Sequence, residues 1–220
     1  MSEYTIHSEQ IAPHEELLLA LQSHQSSVWR RPIAAHQIEV FEQARAFMVR
    51  RDAPIILDSG CGTGMSSQIL AEQFSEHTVI GLDKSLLRLS KADKQLPDNV
   101  RLFRADVRDF WRLFVEAGLK ADWHYLLYPN PYPKKVQFKK RWPAHPVFPV
   151  LAHSADRFEV RSNWRVYLDE WEIALHCLRP KSATRITRLD ASVLPMTRFE
   201  QKYFKAGEAC YRLINEVIIE

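Results

Sequence analysis

Three carboxylates follow short apolar runs in this chain, two of them beside glycines. Asp58 opens Asp58-Ser59-Gly60-Cys61-Gly62-Thr63-Gly64, Asp83 closes Gly81-Leu82-Asp83, and Asp106 closes Arg104-Ala105-Asp106. Glycines let a backbone come close to a ligand. Their spacing here is G-x-G-x-G, because Met65 stands where a dinucleotide fingerprint would need its third glycine. Asp58 would also repel a pyrophosphate, so the loop suits a cationic ligand. A second constellation is Tyr128-Pro129-Asn130-Pro131-Tyr132-Pro133-Lys134-Lys135, after the apolar Tyr125, Leu126 and Leu127 and ahead of Lys139, Lys140 and Arg141. Alternating prolines cannot continue a sheet ladder, since each lacks an N–H and fixes its own φ. Asn130 and Tyr132 therefore sit on a stiff corner suited to a flat ligand. No acidic residue falls between Asp122 and Asp156. The lysines and Arg141 in that window, with Arg30 and Arg31, are expected to meet the phosphate backbone of an RNA.

These groups need a scaffold, and the hydrophobic pattern supplies one. The first fifty residues read as helical, with Leu17, Leu18 and Leu21 on one face, a basic break at Trp29-Arg30-Arg31-Pro32, and then Ile33 to Val49 at roughly helical spacing. From Pro54 onward β-rich runs alternate with helical ones. Strands are expected at 55–57, 78–82, 100–103, 123–128, 158–161, 184–189 and 209–219, and helices at 65–74, 85–92, 107–116 and 164–178. The alternation predicts an α/β fold, a doubly wound, mostly parallel seven-stranded sheet. Residues 1–52 then form an N-terminal helical extension and 53–220 the main domain. In such sheets ligands bind beyond the strand ends, where the glycine loop and the three acids lie.

The length of 220 residues and 46% hydrophobic content suit one domain with a substantial core. The net charge is only +3, from 30 basic and 27 acidic residues, so affinity for nucleic acid must come from the local basic patch. Cys61, Cys177 and Cys210 are scattered, with no C-x-x-C pair, and neither they nor the nine histidines suggest a metal site. A reducing compartment follows. The first ten residues lack the charged and apolar regions of a secretory signal, and no run approaches the ~20 residues of a membrane span. The cytoplasm is the expected location, with no membrane partner; monomer and homodimer both remain open.

Asp58-x-Gly60-x-Gly62-x-Gly64 resembles motif I of the class I S-adenosylmethionine (SAM) dependent methyltransferases. The resemblance implies SAM as cofactor, with Asp58, Gly60, Gly62, Asp83 and Asp106 as its site; Asp83 would take the ribose and Asp106 the adenine amino group. Tyr128-Pro129-Asn130-Pro131-Tyr132-Pro133-Lys134 is similar to the P-D-P-W-x-K segment of the bacterial tRNA (guanine-N7-)-methyltransferases, the TrmB family. Ser162-Asn163-Trp164 is similar to that family's T-D-W, and Thr197-Arg198-Phe199-Glu200-Gln201-Lys202 to its T-x-F-E-x-[KR]. The likeness covers roughly Pro54 to the end. It implies methyl transfer to N7 of a guanine in tRNA or another structured RNA. Asn130 and Glu200 would be the catalytic pair, with Lys134, Asn163, Thr197 and Glu200 on the substrate.

N7 of guanine carries an in-plane lone pair, so its attack on a methyl group needs orientation and charge stabilisation but no general base. Asn130 and Asn163 replace two aspartates of the family pattern. Roughly 3 kcal/mol of lost transition-state stabilisation would be about a hundredfold in rate, while an amide still accepts one hydrogen bond and donates another. Two other readings stand beside this one. Asn130-Pro131-Tyr132-Pro133 also resembles the N-P-P-Y motif of amino-group methyltransferases, with proline and tyrosine in another order. The two asparagines also fit a SAM-binding or RNA-binding paralogue without turnover.

Overall fold

A computed structural model describes residues 5, 6, 8–93 and 95–218. The apolar runs form β1 (Ile55–Ser59), β2 (Thr78–Asp83), β3 (Val100–Arg104), β4 (Ala121–Leu127), β5 (Ala155–Ser162), β6 (Ser182–Arg188) and β7 (Tyr211–Val217). They make one seven-stranded sheet in the order β3-β2-β1-β4-β5-β7-β6. β1 runs parallel to β2 and β4, and β2 parallel to β3. β7 pairs antiparallel with β5 and β6. The expected α/β, mostly parallel architecture is thus present; the expected end of the last strand at Ile219 lies outside the described residues. The helices are α1 (Leu17–Gln25), α2 (Ala35–Arg51), α3 (Met65–Gln73), α4 (Leu86–Leu89), α5 (Val107–Glu116), α6 (Phe148–His153), α7 (Arg165–Leu178) and α8 (Arg198–Lys205). None of the described helices is long and apolar enough to cross a membrane.

By its contacts the chain divides into two compact units. The glycine-loop unit comprises Arg31–Leu127 and His153–Asp156. The proline-loop unit comprises the described residues up to Arg30, Tyr128–Ala152, and those from Arg157 onward. Within the glycine-loop unit every residue of β2 is buried, as a central parallel strand covered on both faces requires. α5 turns Phe110, Trp111 and Phe114 inward, and α2 meets it through Phe41, edge-on to Phe110 at 5.4 Å. Burying such a phenylalanine is worth roughly 1.5–3 kcal/mol. The proline-loop unit has its own core, in which α7 buries Tyr167, Leu168, Trp171, Ala174 and Leu175, and α1 buries Leu17 and Leu21.

Three elements differ from the sequence expectation. The helix expected at 85–92 shrinks to the single turn of α4, whose Leu86 and Leu87 are exposed. A short helix with no apolar face to bury has little to sustain it. Residues 134–153, to which the sequence pattern assigned no element, form two 3₁₀ helices, Lys135–Lys140 and Trp142–Ala144, and then α6. α8 was not expected as a helix, although Thr197 and Glu200 stand at capping-box spacing: the Thr197 hydroxyl accepts from the Glu200 N–H at 3.1 Å.

Gly81 carries the tightest approach in the glycine-loop unit. A Cβ there would lie 2.5 Å from Ser67 Oγ and also against Leu102 Cδ2. Gly81→Ala is therefore expected to destabilise the fold by about 1–3 kcal/mol through overpacking. Urea denaturation of wild type and variant measures this, and equal midpoints would refute it.

Candidate functional site

The glycine loop turns between β1 and α3 through three left-handed residues, Gly60, Gly62 and Gly64, at φ 84°, 61° and 79°. These angles require glycine for lack of a Cβ. The end of β2 ties the loop down: the N–H groups of Gly60 and Cys61 both donate to the Leu82 carbonyl, at 2.7 and 3.0 Å. Gly62 N–H donates to Asp83 Oδ2 at 3.0 Å.

Asp58, at the end of β1, is buried, and its Oδ2 accepts from the hydroxyls of Ser66 and Ser67, each at 2.6 Å. Burial pushes its carboxyl up to about 6; the two hydroxyls oppose the rise and the nearby Asp83 adds to it. Burial also drives the Cys61 thiol far above its ordinary value, which keeps it protonated and inert. Asp83 is equally buried. Its Oδ1 accepts from Ser85 N–H at 2.7 Å, and its Oδ2 also takes the exposed Arg88 guanidinium at 3.1 Å. A ribose diol at Asp83 would compete with Arg88.

Asp106 is placed differently from Asp58 and Asp83. It caps α5 by accepting from Arg108 N–H and is gripped by the Arg108 guanidinium, while Arg31 reaches its Oδ2 at 3.2 Å. Burial would raise its carboxyl, but Arg108 and Arg31 outweigh that and hold it at about 2. Its expected part toward an adenine amino group would have to share these bonds, whereas its N–H is taken by Gln37 Oε1 at 2.8 Å. Arg31, expected on RNA, is committed inside this unit: it pairs with Asp109 at 2.7 Å, and its carbonyl accepts from Arg112 at 2.6 Å.

Sequence reasoning missed one feature beneath the loop. Trp111 Nε1 donates to Ser59 Oγ at 2.9 Å, Ser59 Oγ lies 2.8 Å from His124 Nε2, and His124 Nδ1 lies 2.8 Å from Ser154 Oγ. Burial pulls His124 down to about 3, so the ring is neutral. Fully satisfied buried networks of this kind fix a core in one arrangement. No spacing in the sequence announces it, because its members come from β1, α5, β4 and the bend between α6 and β5.

In the proline-loop unit, Tyr128 and Tyr132 both adopt positive φ, 54° and 47°. Bulky residues there cost of order 1–3 kcal/mol each and need support from their surroundings. Asn130 is exposed, and its Oδ1 accepts from Tyr132 N–H at 3.1 Å, an Asx turn. Lys134, Lys135, Lys139 and Lys140 are exposed, and the Lys140 ammonium lies 5.9 Å from the centre of the Tyr132 ring. Arg141 is not part of that surface: it is fully buried and paired with Glu170.

Glu200 is likewise not the open acceptor of a base that the resemblance implies. It is fully buried; Oε1 accepts from Tyr128 OH at 2.6 Å and Oε2 from Met196 N–H at 2.6 Å, and Arg161 Nη1 lies 3.0 Å from both oxygens. Arg161 also holds Glu159. Burial alone would lower the Arg161 pKa, but the two carboxylates outweigh it and leave it raised. Burial beside Glu200 pushes the Tyr128 hydroxyl far up. Thr197 is spent as the cap of α8, and Asn163 is half-buried just after β5. Among the described residues no cluster of His, Cys, Asp or Glu is arranged to hold a metal.

Comparison with known proteins bears on both units. A family described as a methyltransferase domain matches residues 56–121. The chain is 37% identical over 80 residues to a trans-aconitate 2-methyltransferase of Deinococcus radiodurans, 34% of this chain but only 31% of that relative's length. It is 29% identical over 188 residues to a tRNA (guanine-N(7)-)-methyltransferase of Hydrogenovibrio crunogenus, 76% of this chain and 74% of that one. A solved structure described as an antibiotic related methyltransferase superposes with a TM-score of 0.59 at 15% identity, covering 86% of this chain and 97% of the other. A 16S rRNA (adenine(1408)-N(1))-methyltransferase from Catenulisporales acidiphilia, solved with SAM, gives 0.53 at 14%, covering 80% and 91%.

The fold is that of the class I SAM-dependent methyltransferases. SAM is the cofactor of such a fold, and the residues present fit it. The buried Asp58 carboxylate favours a cationic ligand, the glycines leave the backbone open, and Asp83 offers a diol acceptor.

Two predictions follow from these charges. With Asp58 titrating at about 6, only about one site in ten is ionised at pH 5, so SAM affinity should fall about tenfold from pH 7.5 to pH 5. Calorimetry at both values checks this; Asp58→Asn should bind more weakly at pH 7.5 and lose the dependence. Arg161→Leu leaves Glu159 and Glu200 buried without their cation and should cost about 3–5 kcal/mol, read from the denaturant midpoint.

Proposed function

We propose that this chain transfers the methyl group of SAM to N7 of a guanine in a structured RNA, with tRNA as its substrate. SAM supplies an electrophilic methyl on a sulfonium. The chain's own residues have to bind that cation, orient the base and hold the RNA. Asp58, Gly60, Gly62 and Asp83 are assigned the cofactor. Lys134, Lys135, Lys139 and Lys140, all exposed, are assigned to phosphates.

The observation that carries the reading is the use made of Asn130. One lone pair of its carbonyl oxygen is taken by the N–H of Tyr132, so the side chain is tied into a turn and has only its second lone pair left for a substrate amine. This counts against the amino-group reading, in which an asparagine must hold the target N–H. A base that is already nucleophilic, such as guanine at N7, needs no such acceptor. The relative from Hydrogenovibrio crunogenus supports the same choice, because its match extends over 76% of the chain. The trans-aconitate enzyme shares only a short stretch and acts on a different acceptor by its name. Glu200 enters as a positioning residue: it holds Tyr128 at the head of the proline corner and does not touch the base.

The test is incubation of the protein with labelled SAM and a tRNA transcript lacking 7-methylguanosine, followed by nucleoside analysis. Labelled 7-methylguanosine is the expected product. Label in N6- or N4-methyl nucleosides would overturn the acceptor, and tight SAM binding without product on any RNA would overturn the activity. Asp83→Ala should abolish SAM binding in calorimetry; unchanged affinity would refute the cofactor assignment.

A further inference from the structure

The proline corner is held from behind by a buried polar cluster that the sequence did not announce. Arg141 Nε donates to the Tyr132 carbonyl at 3.1 Å, Nη1 to Glu170 Oε1 at 2.5 Å and Nη2 to Gln10 Oε1 at 3.0 Å. Its guanidinium lies 4.8 Å from the centre of the Trp164 ring. Gln10 Nε2 donates to the same Glu170 oxygen at 3.1 Å and to the Ala12 carbonyl at 2.8 Å, and His14 N–H joins Glu170 at 3.1 Å. Gln10, Arg141 and Glu170 are all buried.

Residues 8–14 therefore lie across the corner as a strap with three fastenings. Ser8 Oγ donates to the Pro133 carbonyl at 2.8 Å, Gln10 holds Arg141, and the His14 ring stacks on Phe138 at 3.9 Å. All three partners fall within residues 133–141. Tyr132 is the residue between these supports. Its φ of 47° is a conformation that a tyrosine does not keep unaided, and both of its backbone polar groups are taken. Asn130 accepts from its N–H, and Arg141 donates to its carbonyl. The guanidinium can make that bond only while its charge is balanced by Glu170 and its remaining donors are filled, and Gln10 fills one of them.

We propose that the strap at residues 8–14 is a positioning element for the methyl acceptor. Gln10, Arg141 and Glu170 lock Tyr132 in its left-handed turn and so fix the ring and the flanking lysines that receive the RNA. The inference rests on the RNA methyl-transfer reading and adds to it the N-terminal residues, which carry no part of the cofactor loop. A strap that only braced the fold would lower stability and leave the acceptor's kinetics alone.

Gln10→Ala removes one fastening without stranding the Arg141 charge, which Glu170 still balances. In the full chain it should leave SAM affinity within about twofold by calorimetry. It should lower kcat/KM for the tRNA transcript about tenfold or more, since a misplaced acceptor loop costs rate steeply. Trypsin should cut faster after Lys134 and Lys135, followed by mass spectrometry. Gln10→Asn, which keeps the amide, should recover part of both effects. Unchanged cleavage, or faster cleavage with unchanged transfer kinetics, would overturn the proposal. If wild type transfers no methyl group to RNA, the functional reading falls, and the cleavage rates alone decide whether the strap holds the loop.

Discussion

Two buried carboxylates at adjacent strand ends, Asp58 on β1 and Asp83 on β2, carry the cost of desolvation, and the glycine-loop unit is organised around meeting it. Each needs donors if it is to stay charged away from water. Asp58 finds them in Ser66 and Ser67 on the first turn of α3, and Asp83 in the N–H groups of Gly62 and Ser85. These bonds explain the local sequence. The loop must pass close over β2 for Gly62 to reach Asp83. Ser67 must also sit so near β2 that position 81 has no room for a Cβ. Arg88 already balances the charge of Asp83, and a bound cation would do the same for Asp58.

The proline-loop unit meets the opposite demand, since it must shape a corner with basic residues. It does so by taking arginines inside and leaving lysines outside. Arg141 and Arg161 are buried against Glu170 and against Glu159 with Glu200, and each places a planar fork on several acceptors at once. Lysine, a hydrated point charge, cannot replace that geometry, and the four lysines of the corner all stay in solvent. Buried ion pairs are weak evidence for stability, because desolvation offsets much of the attraction. Here their effect is on geometry: both arginines reach the backbone or side chain of a tyrosine with positive φ, Arg141 directly at Tyr132 and Arg161 through Glu200 at Tyr128.

The same contrast decides what could be read from the sequence. Strand ends carrying Asp58, Asp83 and Asp106 were legible because parallel strands are continuous apolar runs and the glycines mark the first turn. α5 was placed at its observed limits, since its aromatic face has a clear period. Arg31 and Arg141 were misread as surface charges. A sequence shows that an arginine lies in a basic run, but not that an acid 29 or 78 positions away will bury or claim it. Glu200 was recognised as part of a motif, and its role was misjudged for the same reason: its partners Tyr128, Arg161 and Met196 are gathered from three places by the fold.

The asparagine at position 130 can now be weighed by its surroundings. The resemblance puts an aspartate there, and either side chain offers the oxygen that accepts from Tyr132 N–H, so the exchange leaves the turn intact. What changes is one charge at an exposed position. Two unit charges 4 Å apart in water interact by only about 1 kcal/mol, against several times that in a dry interior. On the proposed N7 transfer, solvent near Asn130 would itself screen the positive charge placed on the purine. The missing carboxylate would then cost about 1 kcal/mol, closer to a fivefold effect on rate than a hundredfold one. The same solvent leaves the corner accessible, whereas an exchange at the buried Asp58 or Asp83 would leave the donors that point at it without their acceptor.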